Sequence, residues 1–301
     1  MPVIDLIAGD YKAQIRSEGA GLSSLTFKER NLVDPFQRSD KRYFRGDVLA
    51  PWPNRIGDGL YKVEGNTFTV PINEIDRNTA LHGLVFGLDW QVKEQSDSQV
   101  KLEVNLKASI SYPTDLHITV TYILSSSGLE ISVAAKNIGD AVAPYGVSIH
   151  PYLIANPDSK VDEWALMLPS TEVLEVDLAR LLPIAMRSCT EMNFDFRSSS
   201  VIGSRFIDHA FKVNEKQARA ITVLDKNKTG VLMTFDQTSK WIQIHTADRD
   251  GGPSSRSCLA VEPMTCPPDA FRTGEDLIWL AIGDSTASSW RIQNLEGENN
   301  E

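Results

Sequence analysis

The sequence predicts an all-β fold, a large antiparallel β-sandwich, on three observations: alternation of apolar and polar residues in several segments, turn-forming clusters between them, and no segment of useful length with a helical period. In "VKLEVNLK" Val100, Leu102, Val104 and Leu106 face one way and Lys101, Glu103, Asn105 and Lys107 the other, which is the pattern of a half-buried strand. The same period runs through "LHITVTYIL" and "LEISVAA". β-Branched runs then recur in "AITVLD", "GVLMTFD", "WIQIHTA", "LIWLAIG" and "SWRIQ", separated by Gly, Asn, Asp and Pro. Residues 214–220 and 177–182 are the weak helix candidates, each long enough for a single turn. Many short strands without helices imply packed antiparallel sheets.

No repeat and no shift of composition marks a linker, so residues 1–301 are expected to form a single domain, with a frayed polar tail from about 293. Apolar residues make up 42% of the chain and charged residues 23%, enough to build a core and too apolar for general disorder. The 40 acidic residues outnumber the 30 basic ones, giving a formal charge of -10 without a long block. That balance disfavours nucleic acid or an anionic membrane as partner and suits a small neutral ligand. The start "MPVIDLIAGDYKAQ" lacks the basic and apolar regions of a signal peptide, so a cytoplasmic location is expected. Cys189, Cys258 and Cys266 lack zinc-site spacing and read as reduced thiols in the core.

The five histidines can be weighed singly. His117 shares the polar face of its strand with Thr119 and Thr121, where exposure to solvent explains it. His245 shares a face with Trp241 and Gln243, as a surface residue or a pocket wall, the former being favoured. His82 stands beside Gly83 between a polar loop and an apolar run, where the backbone can take unusual angles and display a side chain. His150 ends an apolar run and precedes Pro151, which restricts it to extended geometry and suits a positioned acid or base. For both, a ring capping a loop is the structural alternative.

Glu262 lies between Val261 and Pro263 in "CLAVEPMTCPPDAF", at what reads as the end of a buried strand. A carboxylate there is costly unless paired, hydrogen-bonded or used, and burial raises its pKa towards the range of a general base. A salt bridge to Arg55 or Arg272 is the alternative. In "PWPNRIGDGLY" Arg55 sits on a loop stiffened by proline and offers several donors to hydroxyl oxygens, or merely steadies a turn. In "RFIDHAF" Asp208 precedes His209 and could accept from ligand hydroxyls or form an Asx turn. No phosphate-binding glycine loop, HExxH, GxSxG or paired CxxC is present.

Taken in order, "APWPNRIGDGLY", "LHG", "HPYL", "IDHAF" and "VEPMTCPPDAF" resemble the aldose 1-epimerase, or mutarotase, family; "AQIRSEGAGLSSL" resembles its first hairpin and "WRI" its last strand. The resemblance implies a galactose mutarotase-like supersandwich with a sugar cleft on one sheet. It implies Glu262 as general base and His150 as general acid, with Arg55, His82 and Asp208 holding the sugar, and no cofactor or metal. The expected activity is interconversion of the α and β anomers of a hexose such as glucose or galactose, by a monomer or homodimer. Trp52 or Trp241 is expected to stack on the sugar.

Two departures stand out: Leu84 follows "HG" where the family often has a second glycine, and "VEPMT" replaces a commoner glutamate-proline-glutamine form. Two rival functions share the fold: a hexose-6-phosphate 1-epimerase, with Arg77, Arg249 or Arg256 for the phosphate, and a carbohydrate-binding protein without turnover. Pro263, Pro267 and Pro268 are expected to end the Glu262 strand and stiffen the loop beyond it.

Overall fold

The computed structural model describes residues 2–36, 43–249, 252 and 254–297. Two large antiparallel sheets dominate, as the alternating pattern predicts. One has nine strands, running in space from Gln91–Gln95 through Gln99–Leu106, Leu116–Ser125, Gly128–Asn137, Ser285–Leu295, Gly230–Phe235, Ala220–Leu224 and Ala165–Met167 to Ser200–Val201. The other has six: Tyr152–Leu153, Leu259–Met264, Trp241–His245, Asp208–Val213, Ser170–Val176 and Pro183–Ser188. A four-stranded sheet begins with Val3–Ala8 and the hairpin Tyr11–Arg16 to Leu22–Phe27.

The period of two decides which side chains enter the core. On the six-stranded sheet Ile242, Ile244, Leu259 and Val261 face the nine-stranded sheet's Val100, Leu102, Ile118, Val120, Ile131 and Val133 in one buried cluster. Burying each such side chain contributes about 1.5–3 kcal/mol. Trp290 of the nine-stranded sheet donates its indole N–H to the Pro263 carbonyl at 3.0 Å, tying the two sheets beneath the Glu262 strand. Residues 241, 243 and 245 point the other way, as do 260, 262 and 264 on the adjoining strand. Trp241 and Met264 fill part of that second face with Leu174 and Ala210.

Several expectations are revised. Pro263 does not end its strand: it pairs with Ile242 and the strand runs on to Met264. On its other side the amides of Val261 and Thr265 donate to the Pro151 and Val147 carbonyls, and the Ile149 carbonyl between them accepts from the Ser148 hydroxyl at 3.1 Å, so the missing N–H leaves no acceptor unpaired. The tail does not fray at 293, since the last strand pairs with Gly230–Phe235 as far as Leu295; residues 298–301 lie outside the described residues. The two weak helix candidates are turns, whereas a short helix, Ala270–Thr273, follows "CPPD". All three cysteines are buried and reduced, and burial pushes their thiols up, to about 12 for Cys258 and Cys266. Among the described residues no helix is long and apolar enough to cross a membrane.

Candidate active site

On the outward face of the six-stranded sheet, strand register assembles two rows of side chains. Asp208 pairs with His245, His245 with Ala260, and Ala260 with Tyr152, so these four form one row across four strands. Two residues along, Ala210 pairs with Gln243 and Gln243 with Glu262. Stepping back two residues from Tyr152 brings His150 level with Glu262, and the His150 Nε2 stands 3.4 Å from the Glu262 Oε1. Residues far apart in sequence thus meet through cross-strand pairing, which holds neighbouring Cβ atoms about 5 Å apart.

Loops wall the rows into a cavity of about 320 Å³ lined by Glu262, His150, His82, Arg55 and Asp208, the five residues singled out from sequence. Its other walls include Tyr43, Phe44, Glu74, Tyr152, Gln243 and His245.

Glu262 is 1% exposed and has no arginine in ion-pair contact among the described residues, so the salt-bridge alternative is not realised. Arg272 lies instead 3.6 Å from both Asp58 and Asp269. Burial, reinforced by the Asp208 charge, drives the Glu262 carboxyl well above the ordinary carboxylate value, against the pull of Arg55. His150 sits between the rings of Tyr152, stacked at 4.9 Å, and Phe44, at 6.4 Å. Burial and the neighbouring His245 push its imidazole down from 6.5 to about 3. Both shifts favour carboxylic acid and neutral imidazole over the charged pair. Glu262 Oε2 and His150 Nδ1 have no hydrogen-bond partner, an expense unusual for buried polar atoms outside a binding site.

His82 takes a left-handed backbone, φ 65°, followed by Gly83 at φ 80°. A Cβ on Gly83 would lie 2.0 Å from the Ala50 carbonyl oxygen, so this position requires glycine. Leu84 has no such constraint: its backbone is outside the left-handed region, and its amide donates to Ala50 O at 2.8 Å, so a side chain is tolerated after "HG". The His82 Nδ1 accepts from the Asn54 amide at 3.2 Å, and burial, followed by His150 and Arg55, drives its pKa well down. The ring is thus neutral with its proton on Nε2, a donor directed away from the loop.

Arg55 is held by both oxygens of Glu74, Nε to Oε2 at 2.8 Å and an Nη to Oε1 at 3.0 Å, and lies 3.6 Å from Asp208. Thr79 donates to the same Glu74 at 2.6 Å. Asp208 accepts from the Gln243 amide at 2.6 Å. Burial alone raises the Asp208 carboxyl, but Arg55, then His245 and His209, outweigh it and leave the group charged. His209, by contrast, packs on Phe194 and accepts the Asp208 amide with Nδ1, a structural role.

Neither expected tryptophan lines the cavity. Trp52 packs on Phe271 and Trp241 donates to Asp276, both in the interior; the aromatic walls are Tyr43, Phe44, Tyr152 and Phe206. Sequence reasoning also left out Gln243, Glu74 and Tyr152, and favoured the surface over a pocket wall for His245, which lines the cavity. The alternation of "WIQIHT" put Gln243 and His245 on one face, but no local signal told that loops cover it. Of the phosphate candidates, Arg77 lies 3.2 Å from Glu74, Arg256 is 2.8 Å from both Asp162 and Asp248, and Arg249 lies over the Tyr43 and Tyr152 rings.

Fold and cavity together define an antiparallel β-sandwich protein with a buried glutamate–histidine pair set among hydrogen-bonding side chains. The aldose 1-epimerase family model matches residues 2–293, and the chain belongs to that family. It is 38% identical to the uncharacterized protein YihR of Escherichia coli over 93% of this chain and 89% of the relative. It is 28% identical to the aldose 1-epimerase of the same species over 69% and 64%. The solved GalM/aldose epimerase homologue from C. elegans shares the fold, with a TM-score of 0.85 at 21% identity over 98% and 99% of the two chains.

Proposed function

We propose that the protein is an aldose 1-epimerase that interconverts the anomers of a hexose such as glucose or galactose, with Glu262 as base and His150 as acid. The observation that carries this reading is the 3.4 Å contact between the two groups inside a cavity whose other polar walls are Arg55, His82 and Asp208. One proton passing from Glu262 to His150 gives carboxylate and imidazolium. The carboxylate removes the proton from the anomeric hydroxyl, the C1–ring-oxygen bond breaks as C1–O1 becomes a carbonyl, and the imidazolium protonates the ring oxygen. Rotation about C1–C2 and the reverse steps close the ring as the other anomer. The protons balance between sugar and pair without another reagent.

Burial contributes to this cycle. The open-chain stage leaves Glu262 protonated and His150 neutral, the same state that desolvation favours in the empty cavity. Arg55 and His82 offer N–H donors and Asp208 an acceptor, a set suited to orienting sugar hydroxyls.

A second reading, a sugar carrying a phosphate at C6, draws support from Arg249. It shares Asp34 with Arg45, which takes the 2.7 Å contact and leaves Arg249 at 3.7 Å, beside the cavity wall. Following the optical rotation of fresh α-glucose and α-galactose, and anomer exchange of glucose 6-phosphate, tests both readings. Faster relaxation than the buffer on the neutral sugars supports the first; acceleration of the phosphate alone supports the second. Calorimetric binding without acceleration contradicts both and favours a binding protein.

A further inference from the structure

His245 occupies a position that the proton-transfer scheme leaves unused. It sits in the same cross-strand row as Asp208, Ala260 and Tyr152, on the face that carries Glu262 and Gln243, and it lines the cavity. Its Nδ1 is buried without a hydrogen-bond partner. The carboxylate beside it is already engaged, Asp208 by the Gln243 amide at 2.6 Å and by Arg55 at 3.6 Å. Its neighbour on the other side, Ala260, is fully buried and carries only a methyl group, so it offers the ring no polar partner. A ring that lines the cavity beside the Asp208 carboxylate and has a nitrogen satisfied by no protein group has the chemistry to meet a sugar hydroxyl.

We infer that His245 is a specificity-determining residue that hydrogen-bonds one hydroxyl of the bound sugar, away from C1. This rests on the aldose reading above. A histidine ring carries two nitrogens, so it can meet a hydroxyl as donor or as acceptor. A site group left without its partner rejects the ligand that lacks it, which makes the contact visible in substrate preference.

The experiment compares kcat/KM for glucose with its 2-, 3-, 4- and 6-deoxy analogues in wild type, His245→Ala and His245→Gln. Each ratio is taken within one preparation, so it does not depend on how much of a variant is folded. Wild type is expected to discriminate against one analogue by about 10- to 100-fold more than His245→Ala does, with the other ratios preserved and His245→Gln recovering part of the loss. A His245→Ala variant that keeps every wild-type ratio, or slows all sugars equally, overturns the assignment. A wild type that accelerates none of these sugars overturns the aldose reading and this assignment with it, which separates the two failures.

Discussion

His150 Nε2 and Glu262 Oε1 stand 3.4 Å apart at the floor of the cavity, close enough to share a proton and too buried to exchange it cheaply with water. Such a pair titrates as a unit. Independent, unshifted groups would be active only between the ordinary values of 4.5 for the carboxylate and 6.5 for the imidazole. Here the second proton goes on at about 3 and the shared one leaves well above 4.5, and the acid–imidazole and carboxylate–imidazolium forms have the same proton count. We therefore expect kcat/KM to hold its level as pH falls below 4.5 towards about 3; an acid limb at 4.5 contradicts the coupling.

Stability should carry the same signature. Glu262 has a raised pKa when folded, so above its unfolded value near 4.5 the folded state holds the extra proton and stability falls as pH rises towards the folded pKa. His150 has the opposite sign: between about 3 and 6.5 the unfolded state holds the extra proton, so its contribution grows with pH. Glu262→Gln removes the first effect. Its unfolding free energy relative to wild type should climb as pH rises from 4.5, by up to about 1.4 kcal/mol per pH unit. A difference independent of pH from 4.5 to about neutrality shows instead that Glu262 is not held protonated by the fold.

Arg55 and Glu74 form a two-point clamp, and its planar geometry is what lysine cannot copy. Arg55→Lys should raise KM for the sugar by about 10- to 100-fold. Glu74→Gln, which frees the guanidinium without removing it, should raise KM by less than Arg55→Lys. Steady-state anomerisation kinetics decide this, and a KM unchanged in both variants removes Arg55 from the site.

Gly83→Ala tests the loop that displays His82. The left-handed backbone and the Ala50 carbonyl 2.0 Å from the added methyl predict a loss of more than about 2 kcal/mol in denaturant unfolding. Leu84→Ala should cost less, since its backbone is ordinary. Equal losses at both positions contradict this account of the loop.

The antiparallel sheets were legible because alternation in segments such as "VKLEVNLK" is local and records which face meets the core. The five proposed site residues were legible partly from local anomalies, as with Glu262 in an apolar run and His82 beside a glycine, and partly from the joint order of short motifs. His245 and Gln243 were not, because a polar face on a strand looks the same whether water or a loop covers it. The cavity depends on loops around Phe44 and Glu74, distant in sequence from the strands they cover. Trp52 and Trp241 misled for the complementary reason: an indole suits a sugar face and a core equally well.

The central claim is that Glu262 moves the anomeric proton. The most direct measurement is the background-corrected rate at which fresh α-glucose relaxes in the polarimeter, with wild type and with Glu262→Gln at equal folded concentration. Glutamine keeps the shape of the buried acid and cannot take the proton, so the account predicts a fall of roughly 10²- to 10⁴-fold. Equal rates for the two proteins contradict it.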